Sequence, residues 1–231
     1  MHDLELVLQP YDNHVSEAVK TLRTNIQFSG QGIKVIMFTS SQPNEGKSVV
    51  SFASAGSFAE IGKKTLYIDA DIRKSVFVRR MHPRARGGEI YGLSQYLSGQ
   101  KELSECIYHT NKDNLDIILS GPTAPDPTEL FEDETFSELI AYARQNYDMV
   151  VIDTAPLGSV IDAAIIAREC DGAIFVVECG YVGRRFLQKT RDQLLRTGVR
   201  VLGVVLNKVS NHKGGYYGSY YYGDYEDHYL D

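Results

Sequence analysis

One stretch decides the fold of this chain, Ser41-Gln42-Pro43-Asn44-Glu45-Gly46-Lys47-Ser48, which follows an apolar run and precedes a segment of helical character. In a phosphate-binding loop, backbone N–H groups and the N-terminus of the next helix surround the phosphates, a lysine adds positive charge, and a hydroxyl joins the Mg²⁺ shell. The last three residues of the stretch match this pattern, whereas Ser41 stands where the pattern has glycine. The stretch therefore predicts a P-loop. The alternative is a strand-to-helix turn whose lysine extends into solvent.

Apolar runs alternate with longer helix-like segments along the chain. The runs lie at residues 33–38, 65–68, 115–119, 149–152, 172–177 and 200–206. This alternation is typical of βαβ units, and nearly continuous Val, Ile and Leu is typical of strands covered on both faces. The sequence therefore predicts an α/β fold of three layers, a mainly parallel sheet flanked by helices. Right-handed crossovers then place the loops that follow the strands at one edge of the sheet.

Length, charge and cysteine content limit the possible classes. The 231 residues, of which 43% are hydrophobic, suit one domain, and we predict it over residues 1–210 with a short tail at 211–231. A net charge of -6 disfavours nucleic acid as a partner. The cysteines Cys106, Cys170 and Cys179 lack metal-ligand spacing and suit a reducing compartment. No apolar run approaches the roughly 20 residues of a membrane helix, so we expect a cytoplasmic protein without direct membrane insertion.

Two predicted strands end in carboxylates. Asp69 and Asp71 follow the run at residues 65–68, and Asp153 follows the run at residues 149–152. At one sheet edge with the P-loop, these carboxylates would face a nucleotide phosphate tail, where some would surround Mg²⁺ and one free of metal could accept a proton. We assign Asp69 as the base and place Asp71 and Asp153 around Mg²⁺, although the sequence does not rank Asp69 against Asp71. Each Asp alone could instead cap a helix.

The three motifs in this order resemble the Walker A, Walker A′ and Walker B motifs of the bacterial tyrosine kinases. They are residues 41–48, Tyr67-Ile68-Asp69-Ala70-Asp71-Ile72-Arg73-Lys74 and Val151-Ile152-Asp153-Thr154-Ala155-Pro156. The resemblance spans almost the whole chain and implies an ATP-dependent and Mg²⁺-dependent protein-tyrosine kinase. The implied catalytic residues are Lys47, Asp69, Asp71 and Asp153, and the implied Mg²⁺ ligands are Ser48, Asp71 and Asp153. The implied nucleotide-binding residues are Ser41, Asn44, Glu45, Gly46, Lys47, Ser48, Val49, Arg73 and Asn207.

The N-terminal region, residues 1–30, resembles the oligomerisation helix of the same family. Residues 17–26 follow its Glu-x-x-Arg-x-x-Arg pattern, with Lys20 in place of the first arginine. Lysine keeps the charge but not the bidentate fork of arginine, so a contact made there would be weaker. The resemblance implies a homo-oligomeric ring assembled through Glu17, Lys20 and Arg23. An exposed amphipathic helix is the alternative.

The C-terminus is rich in tyrosine among Gly, Ser and Asp, and it cannot form a core of its own. Of the 15 tyrosines of the chain, this segment holds Tyr216, Tyr217, Tyr220, Tyr221, Tyr222, Tyr225 and Tyr229. We expect a flexible tail at residues 211–231, and the resemblance implies that these tyrosines are autophosphorylated in trans. The alternative is an inert low-complexity tail.

The last predicted strand is followed by a clue to the nucleotide base. Asn207 and Lys208 begin like a guanine-binding Asn-Lys-x-Asp motif, but Ser210 stands where the Asp should be. We therefore expect ATP rather than GTP. Asn207 resembles the residue that contacts adenine in related ATPases, and the alternative is a strand-end Asn that makes local backbone bonds. A further basic segment, residues 79–92, predicts an exposed loop that is either merely solvated or binds an acidic partner.

Two other classes share the predicted sheet. A partitioning or septum-placement ATPase would carry the same three motifs, but it usually has a second lysine where this chain has Gln42. A metal-cluster carrier would need a Cys-x-x-Cys pair, which the cysteines do not form. The kinase resemblance further implies regulation of capsular or exopolysaccharide synthesis, with protein substrates from that process. It also implies a transmembrane adaptor of the polysaccharide co-polymerase type, which would hold the kinase at the inner face of the membrane.

Overall fold

The computed structural model describes residues 2–7, 10–85 and 88–209, and all elements below belong to these ranges. The strands are β1 (His2–Glu5), β2 (Val35–Ser40), β3 (Thr65–Ala70), β4 (Arg84–Ala85), β5 (Ile107–Thr110), β6 (Leu115–Ile118), β7 (Met149–Thr154), β8 (Gly172–Glu178) and β9 (Val201–Asn207). The helices are α1 (Asn13–Phe28), α2 (Lys47–Glu60), α3 (Phe77–Met81), α4 (Leu93–Leu97), α5 (Leu103–Cys106), α6 (Pro127–Glu132), α7 (Glu134–Asn146), α8 (Asp162–Ile166) and α9 (Arg184–Arg196), and a 3₁₀ turn covers Ala167–Glu169.

The strands form one sheet in the order β4-β1-β5-β6-β3-β7-β2-β8-β9. The β1–β4 and β5–β6 pairs are antiparallel, and the other pairs are parallel. The prediction of a mainly parallel α/β sheet is therefore confirmed, with a strand at each of the six predicted runs. The sequence analysis missed β1, β4 and β5, which have two to four residues and are too short to show a periodic pattern.

Helices cover the sheet on both faces, and each face has its own buried core. On one face, α1 and α2 pack against side chains such as Ile36 and Phe38 of β2. On the other face, α4, α6, α7, α8 and α9 pack against side chains such as Val35 and Met37 of the same strand. Alternate residues of β2 thus point into opposite cores, and all six of its residues are buried. This arrangement is the physical reason for the continuous apolar runs.

Two expectations about exposure need correction. The segment at 79–92 is not wholly a loop, because α3 extends to Met81 and β4 pairs with β1. Helix α3 forms there because buried Phe77 packs its ring against Phe52 and Tyr67. Strand β9 is not covered on both faces, because it is the last strand of the sheet in the described part of the chain. As a result, Val204 is 65% exposed and Leu206 is 55% exposed.

The parallel strands at the centre of the sheet bring the three motifs together. β3, β7 and β2 are neighbours, so the loops that follow them share one edge. Asp69 of β3 and Asp153 of β7 are direct register partners, and Phe38 of β2 pairs with Asp153 on its other side. The carboxylates and the P-loop therefore lie at one place in the fold. Among the described residues, no helix has the length and apolar character needed to cross a membrane.

Candidate functional site: a phosphate-binding cavity

The P-loop runs from the end of β2 to the first residue of α2. Gly46 precedes the helix with a φ of 88°, a left-handed conformation that glycine adopts without strain. The loop borders a cavity of about 260 Å³. Eight of the predicted site residues line it, namely Asn44, Glu45, Gly46, Lys47, Ser48, Val49, Asp71 and Arg73. A helix N-terminus that opens on a cavity is suited to bind an anion, because its first N–H groups have no partner within the helix.

Lys47 is the buried cation of the site. Its side chain is 6% exposed, and its Nζ lies 2.6 Å from Oδ1 of Asp153, which is 1% exposed. The same Nζ lies 3.4 Å from Oγ of Ser48. Removing one partner of such a buried ion pair leaves the other charge uncompensated, which is costly. Lys47 and Asp153 therefore hold each other at the base of the P-loop.

Asp69 lies beside this ion pair and is fully buried. Burial, and after it the nearby charge of Asp153, raises its pKa to about 7 against the opposing effects of Ser75 and Lys47. The hydroxyl of Ser75 donates a hydrogen bond to Oδ2 of Asp69. Asp69 does not line the cavity. The site thus contains a carboxyl group that titrates near neutral pH and is covered by Ser75.

Asp71 differs from Asp69 because it does line the cavity. Its Oδ1 accepts a hydrogen bond from the backbone N–H of Lys74 at 3.1 Å. Burial raises its pKa, and the charge of Lys47 opposes that shift. Asp71 is consequently the predicted carboxylate with the most direct access to a ligand in the cavity.

Arg73 is fixed at the cavity wall by residues that the sequence analysis did not identify. Its Nε donates to Oδ2 of Asp162 at 2.6 Å, and its Nη2 donates to Oδ1 of Asp162 at 2.9 Å. Nη2 also donates to Oγ1 of Thr128 at 3.0 Å. This bidentate pairing with a buried carboxylate fixes the plane of the guanidinium. It also connects the loop after β3 to the start of α8.

Ser41, which replaces the expected glycine, faces away from the cavity. It is fully buried, and its hydroxyl donates to Oε2 of Glu45 at 2.7 Å. The same oxygen accepts the N–H of Gln42 at 2.7 Å, while Oε1 of Glu45 accepts the N–H of Glu178 at 3.1 Å. The Glu45 carboxylate therefore braces the loop from within. Ser41 contributes a donor to that brace, which gives the departure from the pattern a structural role.

Asn207 also contacts the P-loop backbone. Its Nδ2 donates to the backbone oxygen of Glu45 at 2.9 Å, a contact across the fold rather than the local backbone bond of the alternative. A Cβ added at Gly46 would lie 2.0 Å from the same Nδ2, so the approach of Asn207 requires glycine there. Asn207 does not line the cavity. Its role as an adenine contact stays a prediction.

The predicted oligomerisation residues lie on α1, away from the cavity. Glu17 and Lys20 are exposed and form an ion pair of 2.7 Å. Arg23 instead turns onto α2, where its Nη1 donates to the backbone oxygen and the hydroxyl of Ser57, both at 3.0 Å. The predicted autophosphorylation sites fall outside the described residues, namely Tyr216, Tyr217, Tyr220, Tyr221, Tyr222, Tyr225 and Tyr229.

The donors at the cavity are compatible with Mg²⁺ only in company with phosphate. Within the ranges that the structure describes, no group of three or more His, Cys, Asp or Glu side chains could hold a metal ion by itself. Ser48 and Asp71 nevertheless place oxygen atoms on the cavity wall. Mg²⁺ in phosphoryl-transfer sites takes one or two carboxylates, substrate phosphates and water. The residues present fit such an ion.

Sequence reasoning missed five residues that position the site: Ser75, Thr128, Asp162, Glu178 and Lys208. Four of them contact residues that are distant in sequence, and Ser75 contacts Asp69 across the loop that follows β3. Neither kind of contact leaves a local sequence pattern. Lys208 alone lay within a motif that the sequence analysis considered. Its place in the nucleotide-base motif was the available signal.

A family model described as an AAA domain matches residues 33–198. Tyrosine-protein kinase CpsD of Streptococcus pneumoniae is 44% identical to this chain over 211 residues, which cover 90% of this chain and 91% of CpsD. Tyrosine-protein kinase YwqD of Bacillus subtilis is 35% identical over 88% of this chain and 86% of YwqD. Tyrosine-protein kinase etk of Escherichia coli is 33% identical over 87% of this chain but only 27% of its own length.

Solved structures give the same grouping. The chimerical protein CapA2B2 superimposes with a TM-score of 0.80 at 31% identity, covering 86% of each chain. The kinase domain of the Escherichia coli tyrosine kinase ETK superimposes with a TM-score of 0.78 at 31% identity, covering 89% of this chain and 83% of its own. The septum site-determining protein MinD of Pyrococcus horikoshii, complexed with Mg-ADP, has a TM-score of 0.62 at 22% identity, covering 78% of this chain and 72% of its own, and shares the fold alone.

Proposed function

This chain belongs to the bacterial tyrosine-protein kinases, and on that premise we propose that it transfers the γ-phosphoryl group of ATP, with Mg²⁺, to tyrosines of its own C-terminus. One observation carries the assignment of the site. Lys47 begins α2 at the phosphate-binding cavity and is paired with Asp153, while Ser48 and Asp71 line the same cavity. A phosphate clamp and oxygen donors for a metal thus meet at the edge of the sheet where α/β folds bind ligands.

Binding of the nucleotide phosphates begins with the backbone. The N–H groups at the start of α2 and the charge of Lys47 attract the β- and γ-phosphates. In the structure, Nζ of Lys47 contacts Asp153. A phosphate oxygen in the cavity would share that ammonium group with Asp153. Lys47 would then contact the nucleotide and stay close to Asp153.

When bound, Mg²⁺ would supply positive charge that offsets the negative charge of the transferred phosphoryl group. Ser48 and Asp71 are the residues placed to hold it, and Asp153 supports the site from behind the cavity wall. Arg73 adds a fixed positive charge at the same wall, although Asp162 balances part of that charge. The chain's own contribution is therefore positioning and charge balance, the main sources of catalysis in phosphoryl transfer.

The proton of the acceptor tyrosine requires a base, and we assign that role to Asp69. A pKa of about 7 suits a general base that works near neutral pH. Because Ser75 covers Oδ2, this role requires the loop that carries Ser75 to open. Asp71 is the competing base, since it already lines the cavity.

A Mg²⁺ titration separates the two carboxylates. Asp71→Asn, as the loss of a metal ligand, should recover part of its activity at high Mg²⁺. Asp69→Asn, as the loss of a base, should not recover. Recovery of Asp69→Asn would exchange the two roles.

We further propose that residues 1–210 form the kinase domain and residues 211–231 a separate tyrosine-bearing tail. The tail would be phosphorylated by a neighbouring subunit within a ring that uses Glu17, Lys20 and Arg23. Exposure of Glu17 and Lys20 on α1 supports this assembly. Arg23 would have to leave Ser57, or act by holding α1 against α2. Each phosphate adds about −1.5 to −2 charges, so heavy phosphorylation would drive subunits apart.

Two measurements test this assembly. A Lys47→Met chain with an intact tail is mixed with an active chain truncated after Ser210. Transfer between subunits predicts phosphotyrosine on the Lys47→Met tail, and an unlabelled tail would place transfer within one subunit. Light scattering before and after phosphorylation should show a smaller particle, and an unchanged mass would contradict the charge-repulsion switch.

The biological role that we propose is regulation of capsular or exopolysaccharide synthesis. A transmembrane adaptor of the polysaccharide co-polymerase type would activate the kinase at the inner face of the membrane, and proteins of the same process would be outside substrates. Similarity to CpsD over nearly the full length of both chains supports this role. The test incubates the purified chain with ATP, Mg²⁺ and candidate adaptor segments, then maps phosphotyrosine by mass spectrometry. Failure of every such segment to stimulate transfer would contradict the proposal that an adaptor activates the kinase.

A further inference from the structure

We propose that Lys208 is a positioning residue of the P-loop. Together with Asn207, it holds two consecutive P-loop carbonyls and so turns the following backbone N–H groups toward the phosphates. The proposal rests on the proposed nucleotide site and adds to it a clasp made by the end of β9. We define this clasp as Asn207, Lys208 and Glu178.

The clasp contacts adjacent peptide groups of the loop. Nζ of Lys208 donates to the backbone oxygen of Asn44 at 2.7 Å, and Nδ2 of Asn207 donates to the backbone oxygen of Glu45 at 2.9 Å. Nζ of Lys208 also lies 2.8 Å from Oε2 of Glu178, at the end of β8. Two neighbouring residues of one strand end thus bind two neighbouring carbonyls of the loop.

Because of peptide geometry, these contacts determine the direction of two N–H groups of the P-loop. In a planar trans peptide group, the C=O and N–H bonds point in opposite directions. The carbonyl of Asn44 shares its peptide group with the N–H of Glu45, and the carbonyl of Glu45 shares its group with the N–H of Gly46. Fixing both carbonyls toward the clasp therefore aims both N–H groups away from it. These residues line the cavity, whereas Asn207 and Lys208 do not.

The backbone on both sides of the contact is held in a costly conformation. Asn44 has a φ of 69°, and Lys208 has a φ of 55°. A non-glycine residue in the left-handed region is uncommon and is maintained by its surroundings, often at functional sites. Of the four non-glycine residues with positive φ in the described part of the chain, Asn44 and Lys208 contact each other through a hydrogen bond. The simplest role of that bond is to keep the loop in its phosphate-binding shape.

Glu45 closes the same loop from within. Its carboxylate accepts hydrogen bonds from Ser41, Gln42 and Glu178, so the loop start and the end of β8 are also fixed. Glu178 therefore contributes to both parts, through its N–H to Glu45 and through its carboxylate to Lys208. The clasp is part of a connected network rather than a single contact.

The competing account is a surface ion pair between Lys208 and Glu178. Lys208 is 46% exposed, and exposed ion pairs contribute little to stability. That account predicts no effect of Lys208 on nucleotide affinity. If Lys208 positions the P-loop, removing its ammonium group should weaken the binding of every nucleotide whose phosphates contact the P-loop, whatever its base.

The experiment compares Lys208→Met with Lys189→Met, which alters an exposed lysine of α9. Calorimetry with Mg²⁺ and ADP, ATP or GTP should show about tenfold weaker binding for Lys208→Met, by the same factor for each nucleotide. Lys208→Arg keeps a donor and should recover part of the affinity. Lys189→Met should bind like the unaltered chain. Thermal unfolding without nucleotide should be nearly unchanged in all three variants.

A direct readout needs no nucleotide. Amide hydrogen exchange at Glu45 and Gly46 should be faster in Lys208→Met than in Lys189→Met. Unchanged affinity together with unchanged exchange would overturn the proposal, and so would a change in the ratio of ATP to GTP affinity, which would make Lys208 a base reader. If the unaltered chain bound no nucleotide at all, the proposed function itself would fail, a separate result.

Discussion

Two polar clusters of this protein, each built around a buried carboxylate, can be compared. The active-site cluster contains Lys47, Asp69 and Asp153, and a second cluster contains Asp116, His109 and Tyr147. In the second cluster, one oxygen of Asp116 accepts from the Tyr147 hydroxyl at 2.8 Å, and the other lies 2.6 Å from Nδ1 of His109. That single carboxylate has a partner for each oxygen.

The active-site cluster differs in charge rather than in hydrogen bonding, because each oxygen of Asp69 also accepts a hydrogen bond, from Ser75 and from the backbone N–H of Asp71. Asp69 and Asp153 are register partners on adjacent strands, and one buried lysine serves this pair. Asp69 consequently has its pKa raised to about 7 by burial and by Asp153. Strongly shifted carboxyl groups in a cleft are typical of functional sites. The comparison teaches that two buried carboxylates beside one lysine mark the candidate reaction site, whereas the single carboxylate of Asp116 belongs to a cluster away from the cavity.

The largest expected effect comes from removing negative charge in the active-site cluster or at Asp71, which lines the adjacent cavity. Asn at Asp69, Asp71 or Asp153 keeps the shape but removes a base or metal-site charge, so kinase activity should fall at least about 10²-fold for each. Autophosphorylation rates measured with matched protein concentrations test this. Asp116→Asn is the control and should retain activity within about twofold once folded. Near-normal activity of all three Asp→Asn variants would contradict the assignment of these carboxylates to the reaction site.

The raised pKa of Asp69 also predicts a pH-dependent stability. The folded protein keeps a proton that the unfolded chain releases near its ordinary pKa of 3.8, so stability falls as pH rises from about 4 through about 7. Asp69→Asn removes this loss and should be more stable than the unaltered chain at pH 8, by a few kcal/mol at most. Urea unfolding in EDTA, from pH 5 to pH 8, measures the difference. Parallel stability curves for the two proteins would contradict the shifted pKa.

A smaller effect is expected at the cavity wall, where Asp162 holds Arg73. Asp162→Asn removes one charged partner of the bidentate pair and loosens the guanidinium, so kcat/KM for ATP should fall about tenfold. Thr128→Val, which keeps the ion pair and removes only the hydroxyl contacts with Arg73 and Asp162, should have a lesser effect. Equal kinetics for Asp162→Asn and the unaltered chain would show that Arg73 needs no anchor.

The smallest effect on activity is expected in the second cluster, which contains Asp116, His109 and Tyr147. Tyr147→Phe removes the donor to one oxygen of buried Asp116, so unfolding free energy should fall by about 1–3 kcal/mol. Activity should stay within about twofold, since the cluster does not line the phosphate-binding cavity. Chemical denaturation and autophosphorylation of the same preparation give both numbers. A large loss of activity in a folded Tyr147→Phe protein would mean that the second cluster also contributes to activity.

The sequence predicted those parts of the fold and site that depend on local patterns. Continuous apolar runs revealed β2, β3 and β7, and the motifs at their ends identified Lys47 and the carboxylates. Short strands such as β5 lacked a pattern, and the exposure of β9 depended on which strand ends the sheet. Asp162 and Lys208 act across the fold, so only the tertiary structure could connect Arg73 and Asn44 with them.

The cavity beside Lys47 is assigned phosphoryl transfer to tyrosine. The most direct measurement quantifies phosphotyrosine by mass spectrometry after incubation of the Lys47→Met chain with ATP and Mg²⁺, with circular dichroism to verify folding and Lys189→Met as the control. Because Lys47 supplies the charge on the phosphates, the account predicts that phosphotyrosine disappears from the folded Lys47→Met protein and persists in the control. Near-normal phosphotyrosine in folded Lys47→Met would contradict it.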